Sequence, residues 1–411
     1  MNKQLLEQML GFPDMEVVDV SADLDEKAFR VDLRYRDGVC DCEKCGGSRT
    51  AEEIKRESRK HPVRHLDCLG FKTLLYFANI EMKCSECQAL FNRRPLFLGD
   101  ARHMTTDYIV DWMEKAKGTS LKRISEWNDE PEKTIGTIYY RELSKADAKR
   151  EPRRVKRLAM DEVSLRKGHG NYVLLLYDLD THEIVEVLPD RKKEVLIPFL
   201  KEHQEDMFAE LAVVSTDMWK QYRESVKAVF PHVEVVADRF HVEKDLNEAL
   251  DDCRLAVQRR IKDPDERKEW KKTHRHVLLR SHDRQIQLPG GSEQLEKVLS
   301  HDKELESIYW LKEQFRDIYK MDDYEEAKVE MNRWIRRATY LNSEFLNPFI
   351  GTVKRWKEPI LGYIKHGVTN GLAEGFNCKV KLVKRMAYGI LNFVHFRLRI
   401  LHTCSETLAA Q

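Results

Sequence analysis

Short apolar runs alternate with polar turns through the middle of the chain, and this alternation constrains the fold more than any other feature. The spacing predicts strands at 155–165, 172–178 and 183–188, a helix at 193–203, a strand at 211–215, a helix at 218–228 and a strand at 233–237. Three consecutive strands followed by strand–helix–strand is the order of an RNase H-like sheet. We therefore expect an α/β core in which the fourth strand lies beside the first.

Two aspartates lie on strands of this expected sheet. Asp161 belongs to the apolar run RLAMDEV, and Asp217 closes the run LAVVSTDM. Because the two strands are expected to be neighbours, the two carboxylates should converge. Glu162 is an alternative to Asp161, since side chains alternate across a strand and only one of the two can easily face the same site. Asp217 has a structural alternative too, because aspartate is a favoured N-cap of a following helix.

A carboxylate within a basic helix face marks the C-terminal region, in the sequence TNGLAEGFNCKVKLVKR at 369–385. Residues spaced by four, three, four and three positions share one face of a helix. These residues are Asn370, Glu374, Asn377, Lys381 and Lys384, and Arg385 follows them. Such a face suits an active-site edge, where the acid holds a divalent metal and the cations neutralise DNA phosphates. A solvated helix acid is the alternative for Glu374.

Asp161, Asp217 and Glu374 together predict a catalytic site with two Mg²⁺ or Mn²⁺ ions, which prefer oxygen ligands, for phosphodiester chemistry. Water would attack first and a DNA 3′-hydroxyl second, without a covalent nucleophile. Asp238 and His241, in the sequence ADRFH at another strand end, are either a further ligand and its neighbour or a turn acid and a helix-start histidine. We expect Asn370 and Asn377 beside the acids as well.

The region 246–357 shows apolar residues at helical spacing throughout. It separates Asp217 from Glu374 by a long stretch, and its tryptophans, including Trp270 and Trp334, fall at core-like positions. We therefore expect a large all-α insertion that interrupts the α/β core.

Four of the nine cysteines form two CxxC pairs, Cys42 with Cys45 and Cys84 with Cys87. Each pair can supply two thiolates from one turn, and four thiolates satisfy tetrahedral zinc. The sequence thus predicts a zinc-binding module with one structural zinc. Four further residues are spare thiols or competing ligands nearby: Cys40, Cys68, His61 and His65.

Helical patterns at 105–117, 120–127 and 131–144 follow this module. Their spacing suits a helix-turn-helix that binds DNA, with the helix at 131–144 as the recognition helix. Tyr140 and Arg141 are candidates for DNA contact, and Tyr139 is either a contact or a core residue. A three-helix bundle without DNA contact is the alternative.

The net charge of +1 hides local asymmetry, because a basic block at 149–157 and a basic C-terminal region coexist with acidic helices. Asymmetry of this kind fits a groove for a polyanion. With 42% hydrophobic residues, the 411-residue chain can form real cores, yet no apolar run approaches the roughly 20 residues of a membrane span. The N-terminal sequence MNKQLLEQML lacks the pattern of a signal peptide. We expect a cytoplasmic protein that associates with the nucleoid when it is bound to DNA, with no membrane partner.

Four sequence segments, together with the double CxxC, resemble the ISL-three family of bacterial insertion-sequence transposases: MDEVSLRKGHGNYVLLLYDLDT, STDMWKQY, VVADRFHVEK and TNGLAEGFNCKVKLVKRMAYG. The resemblance spans nearly the whole chain. It implies cut-and-paste transposition at terminal inverted repeats by a DDE core whose acids are Asp161, Asp217 and Glu374. The partners would be the inverted repeats and target DNA, bound by a homo-oligomer, which we expect to be a dimer on DNA ends. Cys378 departs from the family, where a second asparagine is more usual.

We expect five segments: a zinc module at 1–100, a helix-turn-helix at 101–150, the first part of the core at 151–245, the helical insertion at 246–357, and the C-terminal part of the core at 358–411. Two other functions use the same features. A DNA-binding regulator would need no convergent acids, and a structure-specific nuclease or resolvase would cut DNA without joining it.

Overall fold

The structure is a computed structural model that describes residues 3–36, 40–42, 44–46, 48–49, 52–58, 62–101, 103–164, 172–270, 274–368, 371–387 and 392–405. The chain divides into two compact units, and the division falls between Lys149 and Arg150. Each unit contains its own buried core. The finer division into five segments stays a prediction.

The first unit contains four helices and nine strands among the described residues. They are α1 (Lys3–Leu10), β1 (Met15–Asp23), β2 (Ala28–Tyr35), β3 (Cys40–Asp41), β4 (Ser48–Arg49), β5 (Glu52–Ser58), β6 (Val63–Cys68), β7 (Phe71–Tyr76), β8 (Asn79–Lys83), β9 (Leu90–Arg93), α2 (Thr106–Ala116), α3 (Leu121–Asn128) and α4 (Glu132–Ala148). The main sheet has the order β1-β2-β7-β6, and smaller sheets join β5-β8-β9 and β3-β4. Val31, Leu33 and Leu75 lie in the core of the main sheet.

Side-chain caps begin α2 and α3, as expected for threonine and serine at those positions. The Thr105 hydroxyl accepts a hydrogen bond from the Tyr108 N–H, and the Ser120 hydroxyl accepts one from the Arg123 N–H. Asp129 ends α3 in the left-handed conformation, with φ of 55°. The chain then enters α4 at the predicted position.

The second unit begins with a five-stranded sheet and two helices: β10 (Arg157–Ser164), β11 (Tyr172–Asp178), β12 (Glu183–Leu188), α5 (Lys193–Glu202), β13 (Val213–Thr216), α6 (Lys220–Val229) and β14 (Glu234–Ala237). The strand order is β12-β11-β10-β13-β14. β11 is antiparallel to both of its neighbours, whereas β10, β13 and β14 run parallel. The predicted pairing of the first and fourth strands is therefore confirmed.

The two faces of β10 meet different helices. Leu158 and Met160 pack into a core with Leu196 of α5 and Val226 of α6. Because side chains alternate along a strand, Asp161 emerges on the opposite face and Glu162 on the α5–α6 face. This alternation decides the surroundings of each acid.

The helices after β14 are α7 (Arg239–Arg260), α8 (Pro264–Glu269), α9 (Arg275–Leu279), α10 (His282–Ile286), α11 (Gly291–Leu299), α12 (Lys303–Ile318), α13 (Tyr324–Leu341), α14 (Asn347–His366), α15 (Gly371–Met386) and α16 (Phe393–Cys404). The rings of Phe315, Trp334 and Phe349 pack edge-on where α12, α13 and α14 contact one another, with centroids 4.9 to 5.8 Å apart. The helical region was thus correctly expected. No described helix has the length and apolarity that a membrane span requires.

Helix α14 continues past residue 357, where we expected the insertion to end. Its backbone leaves helical geometry at Trp356, and Pro359 follows. Proline lacks an N–H and its ring clashes with the carbonyl four residues earlier, which accounts for a kink here. Beyond the kink, Gly362 approaches β14 so closely that an added Cβ would lie 3.1 Å from Val236 Cγ2. One helix therefore joins the insertion to the sheet.

Candidate active site

The Asp161 carboxylate is held by two hydrogen bonds. The backbone N–H of Glu162 donates to Asp161 Oδ1 at 2.7 Å, and Asn377 Nδ2 donates to Asp161 Oδ2 at 2.6 Å. The Tyr177 hydroxyl donates to Asn377 Oδ1 at 3.0 Å, so the amide is oriented from both ends. Burial raises the pKa of Asp161, although these hydrogen bonds oppose the shift. Helix α15 therefore reaches the strand through Asn377.

Asp217 lies level with Asp161 across the two parallel strands. Ala159 pairs with Ser215; Asp161 stands two residues further along β10, and Asp217 stands two residues further along the chain, directly after β13 ends at Thr216. The Trp219 N–H donates to Asp217 Oδ1 at 3.2 Å. Burial raises the pKa of Asp217 to about 6; His241 lowers it, and the negative charges of Glu162 and Asp161 raise it further. Asp217 thus accepts a local hydrogen bond in the turn before α6. It also lies close enough to Glu162 and Asp161 for their charges to raise its pKa.

Asp238 continues this row onto the next strand. Thr216 pairs with Ala237, so Asp238 stands opposite Asp217, and the Asp238 N–H donates to the Thr216 carbonyl at 2.8 Å. Asp238 is buried, and its carboxylate caps α7 by accepting the Phe240 N–H at 3.2 Å. The three aspartates therefore line the carboxyl-end edge of three adjacent parallel strands, where open α/β sheets commonly bind ligands.

His241 faces the same row of acids. Its Nδ1 lies 2.8 Å from Asp238 Oδ2, and this contact, ahead of the charges of Asp161 and Asp217, raises the pKa of His241. The raised pKa favours the protonated imidazole, which would be a cation beside three carboxylates. Asp238 therefore caps a helix and also borders the acid cluster, and its role as a further ligand stays a prediction.

The remaining acid, Glu374, lies in α15, one helical turn before Asn377. Its side chain lies outside the described part of the structure, as does the whole of Asn370. The structure therefore brings together Asp161, Asp217, Asp238, His241 and Asn377, and it puts the backbone of position 374 one turn from a residue that contacts Asp161.

Comparison with known protein families agrees with this geometry. A family model for DDE transposases of the ISL-three type, described as Transposase, matches residues 158–400, which is more than half of the chain. The chain belongs to the ISL-three family of DDE transposases. The resemblance found in the sequence is confirmed, and the protein is a DDE-type polynucleotidyl transferase. Membership implies that the transposase binds DNA and depends on divalent metal.

Two relatives align along nearly their full length. The transposase is 23% identical over 402 residues to the transposase for insertion sequence element IS1001 of Bordetella parapertussis, covering 97% of this chain and 98% of the relative. It is 25% identical over 423 residues to the transposase for insertion sequence element IS1557 of Mycobacterium tuberculosis, covering 94% and 92% respectively.

The predicted basic residues of α15 differ in their surroundings. Lys384 Nζ donates to the Ser164 carbonyl at 3.1 Å and so ties α15 to the end of β10. Lys381 and Arg385 are exposed. In the first unit, Tyr139 is fully buried against Trp112, so it is a core residue, whereas Tyr140 is half-buried and Arg141 lies 2.9 Å from Glu142. DNA contact by Tyr140 and Arg141 stays a prediction.

The four cysteines of the two CxxC pairs converge in the first unit. Cys42 Sγ lies 3.7 Å from Cys87 Sγ, and Cys45 Sγ lies 3.7 Å from Cys84 Sγ. All four sulfurs lie within 4.8 Å of one another. Backbone N–H groups of Cys45 and Lys44 lower the pKa of the Cys42 thiol to about 7, which favours the thiolate.

The competing ligands do not join this cluster in the described structure. His65 is buried elsewhere, with Nδ1 2.9 Å from the Thr105 hydroxyl and its ring packed edge-on against Phe12. Cys68 lies in β6 outside the group of four, whereas the side chain of Cys40 in β3 lies outside the described part of the structure. His61 lies outside the described residues.

Sequence patterns missed a set of residues on the other face of β10. Glu162 pairs with Arg191, whose Nη1 lies 2.6 and 2.5 Å from the two carboxylate oxygens. Arg191 also stacks against Tyr172 and Trp219. Arg191 stands in a polar turn between β12 and α5, and no aromatic residue lies near it in the sequence to mark these contacts.

Proposed function

We propose that Asp161, Asp217 and Glu374 are the catalytic acids of an RNase H-like core and that they hold two Mg²⁺ or Mn²⁺ ions. The observation that carries this proposal is the level alignment of Asp161 and Asp217 across β10 and β13, with Asn377 of α15 bonded to Asp161. The strand order β12-β11-β10-β13-β14 supports the assignment of the core.

The residues of the cluster fit divalent ions. Three aspartates meet beside His241, and burial and mutual repulsion raise the pKa of Asp161 and of Asp217. Excess buried negative charge of this kind is stabilised by a hard cation with oxygen ligands. Bound ions would lower the pKa of water and stabilise the charge that develops at the scissile phosphate.

The chain's own residues would align the acids and the DNA. Asn377 fixes the Asp161 carboxylate, and the Trp219 N–H orients Asp217. Asp238 is either a further ligand or the residue that positions His241. Lys381, Lys384 and Arg385 lie on the helix that carries Glu374, where they would neutralise phosphates of the DNA strand.

The first unit would bind one structural zinc through Cys42, Cys45, Cys84 and Cys87. Zinc–sulfur bonds of about 2.3 Å in a tetrahedron require sulfurs about 3.8 Å apart, and the observed separations of 3.7 Å match this requirement. We assign recognition of the terminal inverted repeats to this unit, with α4 as the recognition helix and Tyr140 and Arg141 as contacts. A dimer would then hold the two ends and join them to target DNA.

The test uses the full-length transposase and a plasmid that carries its gene with the flanking DNA. With Mg²⁺, the wild type should cleave at the element ends and join the 3′-hydroxyls to a target plasmid. Asp161→Ala, Asp217→Ala and Glu374→Ala should each abolish both steps and keep end binding, because carboxylates orient metal and contact no bases. Asp180→Ala removes an exposed acid in the turn between β11 and β12 and serves as the control.

Three outcomes would contradict parts of the proposal. Cleavage by Glu374→Ala at the wild-type rate would make Asp238 or Glu162 the third acid. End binding without any metal-dependent cleavage would favour a regulator, and cleavage without joining would favour a nuclease. Asp238→Ala decides the role of that residue: complete inactivity identifies a ligand, and partial activity identifies a positioning residue for His241.

A further inference from the structure

Glu162 is a fourth carboxylate beside the acid cluster, but it is engaged on the other face of the sheet. It follows Asp161 in β10, so its side chain points toward α5 and α6. Arg191 Nη1 lies 2.6 and 2.5 Å from its two oxygens, and the Tyr222 hydroxyl lies 3.4 Å from Oε2. The charge of Glu162 still reaches Asp217, because it contributes to the raised pKa of that residue.

The Arg191 guanidinium is stacked between two aromatic rings. Its Cζ lies 4.3 Å from the centroid of Tyr172 and 4.7 Å from that of Trp219. Trp219 packs edge-on against Tyr222 with centroids 4.7 Å apart. A planar guanidinium can stack on rings and pair with a carboxylate at the same time, which a lysine ammonium cannot reproduce.

Trp219 connects this arrangement to the acid cluster. Its backbone N–H donates to Asp217 Oδ1 at 3.2 Å, within the turn that joins β13 to α6. A shift of the Trp219 ring would therefore move the N–H that orients Asp217. Arg191 therefore contacts both Glu162 and Trp219, and Trp219 belongs to the turn that orients Asp217.

We propose that Arg191 is a positioning residue of the transposase active site: it compensates the charge of Glu162 beside the acid cluster, and it braces Trp219, which orients Asp217. The inference rests on the proposed roles of Asp161 and Asp217. Without Arg191, the negative charge of Glu162 would be uncompensated beside the acids proposed to hold the cations.

The experiment compares Arg191→Gln, Glu162→Gln and the double variant in the full-length chain. Cleavage of the plasmid with flanking DNA should fall about 10- to 100-fold in Arg191→Gln, because small displacements of catalytic groups cost rates of this size. Mn²⁺ binding to the DNA-free protein, followed by the loss of free-ion paramagnetic resonance, should tighten about 3-fold or more, because the uncompensated charge of Glu162 attracts the cation. Arg157→Gln breaks the exposed pair with Asp180 on the same strand and should leave both readouts unchanged.

The double variant separates charge compensation from general stability. It should regain the wild-type Mn²⁺ midpoint and part of the lost cleavage, because no unpaired carboxylate remains. A double variant with the same reduced cleavage and the same tightened Mn²⁺ midpoint as Arg191→Gln would overturn the inference. Thermal unfolding without metal shows whether each variant is folded. If Arg191→Gln does not fold, Arg191→Lys replaces it. A wild-type Mn²⁺ midpoint together with reduced cleavage in Arg191→Lys would support the inference. Wild-type cleavage in Arg191→Lys would overturn it.

Failure of the proposed catalytic assignment would look different. Asp217→Ala would then cleave DNA and bind Mn²⁺ like the wild type, whatever the Arg191 variants do. If Asp217→Ala loses both DNA cleavage and Mn²⁺ binding, the catalytic assignment stays intact. If, in addition, Glu162→Gln does not rescue Arg191→Gln, only the role of Arg191 is overturned.

Discussion

Asn377 donates an amide hydrogen to Asp161 Oδ2 at 2.6 Å, across 216 positions of sequence. Tyr177 fixes the amide orientation by donating its hydroxyl to Asn377 Oδ1 at 3.0 Å. The carboxylate on β10, the amide on α15 and the phenol on β11 therefore form one chain of hydrogen bonds. This chain ties the helix that carries Glu374 to the strand that carries Asp161.

Asn377→Ala should lower DNA cleavage with little change in end binding, because Asp161 loses the donor that orients it. A hydrogen bond to a charged group contributes about 1.5–3 kcal/mol, so a loss of about 10- to 100-fold in rate is expected. Tyr177→Phe should show a smaller loss, since it frees the amide to rotate but leaves it present. Equal rates for wild type and Asn377→Ala at saturating Mg²⁺ would contradict the role of this chain.

The zinc assignment predicts one zinc per chain by elemental analysis of the full-length protein. Cys84→Ser should lose that zinc and unfold the first unit, because a small metal-bound module depends on its metal for folding. Cys68→Ser is the matched control, since this thiol lies in the same unit but outside the group of four. Zinc retained in Cys84→Ser, or lost in Cys68→Ser, would require a different ligand set.

Two glycines of α14 should respond in opposite ways to alanine. Gly351→Ala should stabilise the transposase by up to about 1 kcal/mol, because alanine favours helix and the new methyl meets only the flexible end of Arg355. Gly362→Ala should destabilise it, because the new methyl lies 3.1 Å from Val236 Cγ2 in the sheet. Thermal unfolding of both variants measures the difference, and an equal gain for both would mean that the helix can move away from β14.

A buried ion pair should hold α16 on the sheet. Arg397 binds both oxygens of Glu186 on β12 at 2.6 Å, and Arg150 lies 2.7 Å from the same carboxylate. Arg397→Ala should lower the free energy of unfolding by about 3 kcal/mol, because a buried carboxylate loses its main partner. Arg153→Ala removes a more exposed partner of Glu183 on the same strand and should cost less than about 1 kcal/mol. Urea unfolding followed by circular dichroism compares the two; similar costs would show that solvent compensates Glu186.

The sequence alone determined the order of strands and helices in the five-stranded sheet region, and the positions of Asp161 and Asp217. It also identified the four cysteines and the family. These features are local: strand alternation, helix periodicity and two-residue spacing between thiols follow from short-range geometry. The parallel pairing of β10 with β13 then brings the two aspartates level.

Only the tertiary structure decided which neighbouring groups each acid has. It separated Asp161 from Glu162 by face, aligned Asp238 with Asp217, and buried Tyr139 in the first unit. It also revealed Arg191 between two aromatic rings. The physical reason is that these contacts join strands, turns and helices far apart in sequence, so their geometry depends on packing of the whole sheet and its helices rather than on any local pattern of residues.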